Sequence, residues 1–221
     1  MSNQPLISNE YKELNEKLHR NSSEYGNRNT YLSKNLPETI EILSKLYGFS
    51  SVLDYGCGKG LIVESLRKKF QNRDMQINGY DPCVEIFRKP AKASDVLVCT
   101  DVLEHIEPET INNVLDHIGN LTKHVCFLVI DLMPAVKTLP DGRNAHILLE
   151  PTGWWLDKLS NQYSFGTYYI DKAPADKEKK TLPKKKLCFV GAKNTKDTLP
   201  AMNFFSLTTF GNPAKKINLK Q

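Results

Sequence analysis

Three glycines at alternate positions, Gly56, Gly58 and Gly60, follow the apolar run Val52-Leu53-Asp54-Tyr55 and lead into Leu61-Ile62-Val63. A strand that ends in such a turn and opens a helix reads as a nucleotide-binding unit. Glycine has no Cβ, so its backbone can take φ > 0 and approach a ligand closely. The first N–H groups of the following helix, with its dipole, then face whatever lies on the turn. The spacing narrows the choice of nucleotide: dinucleotide sites use Gly-x-Gly-x-x-Gly, and the sixth position here is Leu61, which disfavours NAD.

Around this turn the chain alternates. The patterning predicts strands near 51–55, 75–80, 95–99 and 124–130, with helices over 61–70, 84–88 and 109–121 between them. Such β/α alternation implies a parallel sheet with right-handed crossovers. Upstream, helices are expected over 10–20 and from Pro37 to about Gly48, and the polar segment 21–30 is too polar for a core. Downstream, Pro151-Thr152-Gly153-Trp154-Trp155 starts a helix. Neighbours on a helix diverge by about a hundred degrees, so one Trp packs in the core and the other is free to face the cleft. Two β-rich strands, 164–170 and 187–192, follow, and an apolar patch at Phe204, Phe205, Leu207 and Phe210 lies in the last segment.

Three segments occur in a telling order: Asp54-Tyr55-Gly56-Cys57-Gly58-Lys59-Gly60, then Gly79-Tyr80-Asp81-Pro82, then Asp95-Val96-Leu97-Val98-Cys99-Thr100-Asp101-Val102-Leu103-Glu104-His105-Ile106. The ordered set resembles the class I S-adenosylmethionine-dependent methyltransferases over roughly residues 37 to 130, and more loosely to the strand near Val190. The resemblance implies an α/β, Rossmann-like methyltransferase fold: a mostly parallel, seven-stranded-type sheet with helices on both faces and an antiparallel C-terminal strand pair. It also implies S-adenosyl-L-methionine as cofactor. The organisation expected is an N-terminal helical extension over 1–36, the methyltransferase domain over 37–192 with a lysine-rich hairpin insert at 171–186, and a C-terminal tail over 193–221. One departure stands out. Only thirteen residues separate Asp81 from Asp95 and Pro90 interrupts them, so the strand and loop that usually supply the adenine-binding carboxylate are shortened or missing.

Cofactor-binding residues expected on this basis are Asp54, Gly56, Cys57, Gly58, Gly60, Asp81, Pro82 and Asp101. Asp81 ends an apolar stretch some twenty residues past the turn, where a carboxylate can accept from both ribose hydroxyls; it can equally cap the next helix. Family members use the carboxylate at Asp54 to orient the turn and the methionine ammonium, and an Asx hydrogen bond within the loop is the plainer alternative. Cys57 reads as a small filler rather than a nucleophile. Asp101 either substitutes for the missing adenine contact or caps the following turn.

The loop 131–146 follows a strand at the sheet edge where ligands collect, which nominates Arg143 and Asn144 as substrate-binding residues, with Glu104 beside them. His146 and His105 are the candidate bases, and Arg143 the third catalytic candidate. Plainer roles exist: His105 as a helix-start residue held by backbone, Glu104 as a salt-bridge partner. No metal is expected. Glu104, His105 and Glu107 lack helical metal-pair spacing, and His105 would be the only nitrogen donor.

The 221-residue length suits one domain with extensions. Five cysteines without a CxxC pair form neither a disulfide framework nor a zinc site, which suits a reducing cytoplasm. No secretion signal or membrane span is expected. Net charge is +5, and residues 171–221 hold twelve lysines against four acidic residues, so the basic character lies in this last quarter. Its run Lys177–Lys186 has no arginine fork or interleaved aromatics and reads as a solvated hairpin rather than a phosphate-binding surface. The functional expectation is methyl transfer to a small molecule or glycan precursor. The alternatives are a nucleic-acid methyltransferase using the basic region and a non-catalytic cofactor-binding partner protein on the same fold.

Overall fold

The computed structural model describes residues 5–22, 25–26, 31–175 and 183–210. Two helices come first, α1 (Asn9–Asn21) and α2 (Tyr31–Tyr47). β1 (Ser51–Tyr55), α3 (Leu61–Lys69), β2 (Gln76–Tyr80), β3 (Ser94–Thr100), α4 (Ile111–Leu121) and β4 (Thr122–Asp131) follow in alternation, and then α5 (Thr152–Ser160), β5 (Phe165–Ala173), β6 (Lys184–Ala192) and α6 (Thr198–Phe210). Among the described residues the sheet has six strands in the order β2-β1-β3-β4-β6-β5. The first four are parallel; β6 runs antiparallel between β4 and β5.

Both faces of this sheet are covered, and the strand sequences show why. Along β3, Val96 and Val98 enter one core with α2, α3 and α6, while Leu97 and Cys99 enter the other with α4 and α5. A strand buried on both sides reads as a continuous apolar run rather than an alternating one. In β4, Val125, Phe127 and Val129 point to the first core, and Cys126, Leu128 and Ile130 to the second.

Several expectations change. α2 begins six residues before Pro37 and runs through it; the proline removes one backbone donor there without ending the helix, whose face carries the buried Leu36, Ile40 and Leu43. The helix expected over 84–88 is one 3-10 turn, Glu85–Phe87, and no described strand lies between β2 and β3, so the sheet ends at β2. The stretch read as a C-terminal tail contains α6. Its Ala201 and Phe204 are wholly buried, with the Phe204 ring 5.2 Å from Phe127. Pairing of β5 with β6 extends to Ala173 and Lys184, so the ends of the supposed insert are strand; its residues 176–182 lie outside those described. No helix among the described residues is long and apolar enough to cross a membrane.

Candidate active site

The C-terminal ends of β1 to β4 open into one cavity of about 1080 Å³. Its walls come from the glycine turn, Asp81, Asp101, His105, His146 and Lys186.

On one side the turn is hooked to β2: the N–H groups of Gly56 and Cys57 both donate to the Tyr80 carbonyl, at 2.7 and 3.1 Å. Gly56, Gly58 and Gly60 all take positive φ, 73°, 51° and 85°. At Gly58 the lack of a side chain serves a second purpose, because a Cβ there would collide with the backbone of Gly26. Asp81 follows β2 and accepts from the Gly58 N–H at 3.0 Å and the Cys83 N–H at 2.9 Å. It therefore both braces the glycine turn and caps the turn that follows. Asp54 is buried beneath, and burial together with the Asp81 charge pushes its carboxyl up to about 7. Burial and the same two carboxylates drive the Cys57 thiol far up, which leaves it a filler packed against Gly79. Pro82 lines the same wall.

The N-terminal segment closes over this wall. Ser8 caps α1 and is itself fixed by Glu107, which accepts from its N–H at 2.7 Å and its hydroxyl at 2.6 Å. Tyr11 donates to the His105 carbonyl at 2.7 Å, and Tyr25 donates to Asn15 at 2.9 Å. Beyond α1, the Lys59 N–H donates to the Gly26 carbonyl at 2.9 Å. The Lys59 ammonium holds the Ser22 carbonyl and Lys137 the Ser22 hydroxyl, each at 2.7 Å. The segment judged too polar for a core thus supplies Tyr25 and Gly26 to the cavity wall.

On the opposite side sits a charged cluster that the sequence did not disclose. Lys186, read as part of a solvated basic run, is buried, with its ammonium 2.5 Å from Asp101 and 3.5 Å from Asp131. Burial lowers its affinity for the proton, but Asp101, Asp131 and Glu104 more than offset that, and its pKa is raised. Asp131 and Lys186 are direct cross-strand partners of β4 and β6, a signal that aligning the two strands would have exposed. Asp101 has φ of 57°, an uncommon conformation for a residue other than glycine. One oxygen of its carboxylate is paired with Lys186, and the residue lines the cavity. Glu104 is fully buried; one oxygen accepts from the Asp131 N–H at 3.1 Å. Burial, then the Asp101 charge, push its carboxyl well above the usual range.

The loop after β4 separates its three candidates. Arg143 is exposed, paired with Asp141 at 2.7 Å and lying 5.8 Å from the Tyr11 ring, and it does not line the cavity. Asn144 works inside the loop: its carbonyl accepts from the N–H groups of Ala135 and His146, and its amide donates to the Ala135 carbonyl. An Asp two residues before Arg and an Asn at a tight bridge are satisfied locally, which draws both side chains from the cleft. His146 is buried at the cavity wall, its Nδ1 2.5 Å from the Met133 carbonyl. His105 lies beside it with ring centroids 4.8 Å apart, its Nδ1 2.7 Å from the Ala145 carbonyl. Neither tryptophan reaches the cavity: Trp155 is core, and Trp154 packs under Lys158.

The sequence profile of a methyltransferase domain family matches residues 9–219. No curated protein matches the chain. Similar solved structures include the 1,6-didemethyltoxoflavin-N1-methyltransferase of Burkholderia thailandensis, bound to 1,6-didemethyltoxoflavin and S-adenosylhomocysteine, at 15% identity and a TM-score of 0.55, covering 87% of this chain and 93% of that one. The S-adenosylhomocysteine (SAH) complex of DhpI is similar at 16% identity and a TM-score of 0.53, over 86% and 100% of the two chains. The plantazolicin methyltransferase BpumL, in complex with a pentazolic desmethylPZN analog and SAH, gives 17% and 0.50 over 85% and 100%.

Proposed function

Because the chain belongs to this methyltransferase domain family, we propose that its cavity holds S-adenosylmethionine on the glycine-turn side and a small-molecule acceptor on the histidine side. The observation that carries this reading is the joining of Asp81 to Gly58 across 3.0 Å at one end of a single large cavity. Each Asp81 oxygen accepts one backbone N–H and keeps a lone pair for a ribose hydroxyl. The buried Asp54 offers a second carboxylate, suited to an ammonium group. Two acidic side chains beside a tightly turned backbone fit a nucleoside that carries an amino acid.

The bound sulfonium supplies an already activated methyl group for in-line displacement. What remains for the protein is alignment and the exclusion of water. α1 and the Tyr25–Gly26 segment cover the turn, and the loop that carries His146 covers the other half. At about 1080 Å³ the cavity stands just above the roughly 300–1,000 Å³ that small-molecule sites occupy. That leaves room for an acceptor beside the cofactor, against His105 and His146. The glycan-precursor and other small-metabolite acceptors remain within this class. Similar folds in methyltransferases bound to SAH together with 1,6-didemethyltoxoflavin or a pentazolic desmethylPZN analog support the reading.

The test is calorimetric titration with SAH, followed by a labelled-methyl transfer screen against metabolite and polynucleotide pools. Submicromolar-to-micromolar binding of SAH and label in the metabolite fraction are expected. Label confined to polynucleotide, with salt-dependent binding, would refute the small-molecule assignment.

A further inference from the structure

Glu104 is the most unusual group behind the cavity wall, between the wall residues Asp101 and His105 in the chain. It is wholly buried, one oxygen is occupied by the Asp131 N–H, and the other, Oε2, has no hydrogen-bond partner among the described residues. A buried carboxylate oxygen without a partner is costly. Two independent sets of neighbours bring further ligand atoms within 4.8 Å of it and of one another: Asp101 with Asp131, and His105 with His146.

The first set already has its cation. The Lys186 ammonium lies between Asp101 and Asp131 at 2.5 and 3.5 Å. The second set has imidazoles of fixed tautomer. Each Nδ1 faces a backbone carbonyl, Ala145 for His105 and Met133 for His146, and a carbonyl can only accept. The proton is therefore on Nδ1 of each ring, and Nε2 is the nitrogen that would turn to an ion. A second hydrogen bond that fixes tautomer and ring orientation is the usual support of a metal-binding histidine.

We propose that Glu104, His105 and His146 bind a divalent first-row transition cation at the acceptor end of the cavity. Two imidazoles and a carboxylate suit Mn²⁺, Fe²⁺ or Zn²⁺ rather than Ca²⁺. Charge favours occupancy: Asp101 and Asp131 share the one Lys186 ammonium beside Glu104. Ligands on one such ion stand about 3 to 4 Å apart for bonds near 2.1 Å, and the ligand atoms of this cluster lie within 4.8 Å of one another, so closing on an ion needs a small inward movement of side chains. Three protein ligands leave coordination positions for water or an acceptor oxygen. The second nitrogen donor that the sequence lacked near Glu104 arrives through the loop after β4. This inference rests on the transferase reading only for what the ion would meet, not for whether it binds.

The experiment is titration of the full-length, chelator-treated protein with Mn²⁺ alone, followed by electron paramagnetic resonance of the free ion, and then Zn²⁺ competition. One Mn²⁺ per chain, displaced by Zn²⁺, is expected. Glu104→Gln and His146→Gln should each weaken binding at least tenfold, and His117→Gln, outside the cluster, should not. Circular dichroism and SAH titration of each variant show whether the fold and cofactor end are intact; if Glu104→Gln does not fold, His146→Gln decides. Native protein that binds no stoichiometric Mn²⁺ or Zn²⁺, or that binds as well after His146→Gln, overturns the proposal. Since metal binding is read without cofactor, that failure leaves the transferase reading standing, and a failure of native protein to bind SAH refutes the transferase reading alone.

Discussion

Gly58→Ala and Gly142→Ala form a matched pair, because both glycines have positive φ, 51° and 88°, but in opposite surroundings. A Cβ at Gly142 would meet nothing within 4 Å, whereas one at Gly58 would strike the oxygen and Cα of Gly26. The conformational cost for alanine is about 1–2 kcal/mol at either site. At Gly58 the Gly26 backbone must also retreat, which breaks the 2.9 Å bond from the Lys59 N–H to the Gly26 carbonyl, worth about 1 kcal/mol. Urea denaturation should therefore show Gly142→Ala losing about 1–2 kcal/mol and Gly58→Ala about 2–3 kcal/mol. The sharper separation is in ligand binding. SAH affinity, read by calorimetry, should fall about tenfold or more in Gly58→Ala, matching about 1.4 kcal/mol. In Gly142→Ala it should stay within a few tenths of a kcal/mol. Limited proteolysis should cut near Gly26 faster in the Gly58 variant only. Equal stability losses, or unchanged SAH affinity in Gly58→Ala, would refute the claim that closure of Gly26 on the turn supports the cofactor end.

Asp81→Ala should weaken SAH binding by about 1.5–3 kcal/mol through lost charged hydrogen bonds, as measured by calorimetry. Asp54 predicts a pH dependence: its folded pKa of about 7 lies above its ordinary 3.8, so the folded state holds the extra proton and stability falls as pH rises between those values. Asp54→Asn should remove that fall in thermal denaturation, and SAH binding to native protein should release a proton near neutrality, visible as buffer-dependent binding heat. Phe204→Ala should cost about 3–5 kcal/mol in chemical denaturation, because α6 is core rather than tail. Arg143→Ala, at an exposed loop position, should change SAH affinity and methyl-transfer rate little, within about 0.5 kcal/mol, in contrast to the catalytic role its sequence position suggests.

The parts legible in the sequence are those whose signal is local. β1, its glycine turn and α3 are written in one stretch of chain, and Ser51–Tyr55 is the strand expected. Asp81 follows from its distance past the turn. Side chains whose role depends on distant partners were not legible. Lys186 looked like its lysine neighbours until β6 was seen inserted beside β4, which places it against Asp101 and Asp131. Arg143 and His146 stand three residues apart on one loop, yet Asp141 draws the first outward while Met133 anchors the second inward. Ser22, in the polar segment before Tyr25, carries no apolar signal because it meets Lys59 and Lys137 through hydrogen bonds rather than through packing.

The position of β6 bears on how the chain is made. Ribosomal synthesis proceeds from the N-terminus, so β1 to β4, with the glycine turn and Asp81, emerge before the strand that must enter between β4 and β5. Until it does, Asp101 and Asp131 have no Lys186, and one edge of β4 is open to any strand that can pair with it. The nascent protein therefore acquires the glycine-turn end of the cavity early and the Lys186 cluster last. A ribosome paused before residue 184 would hold a half-built sheet whose exposed edge is its point of vulnerability to aggregation.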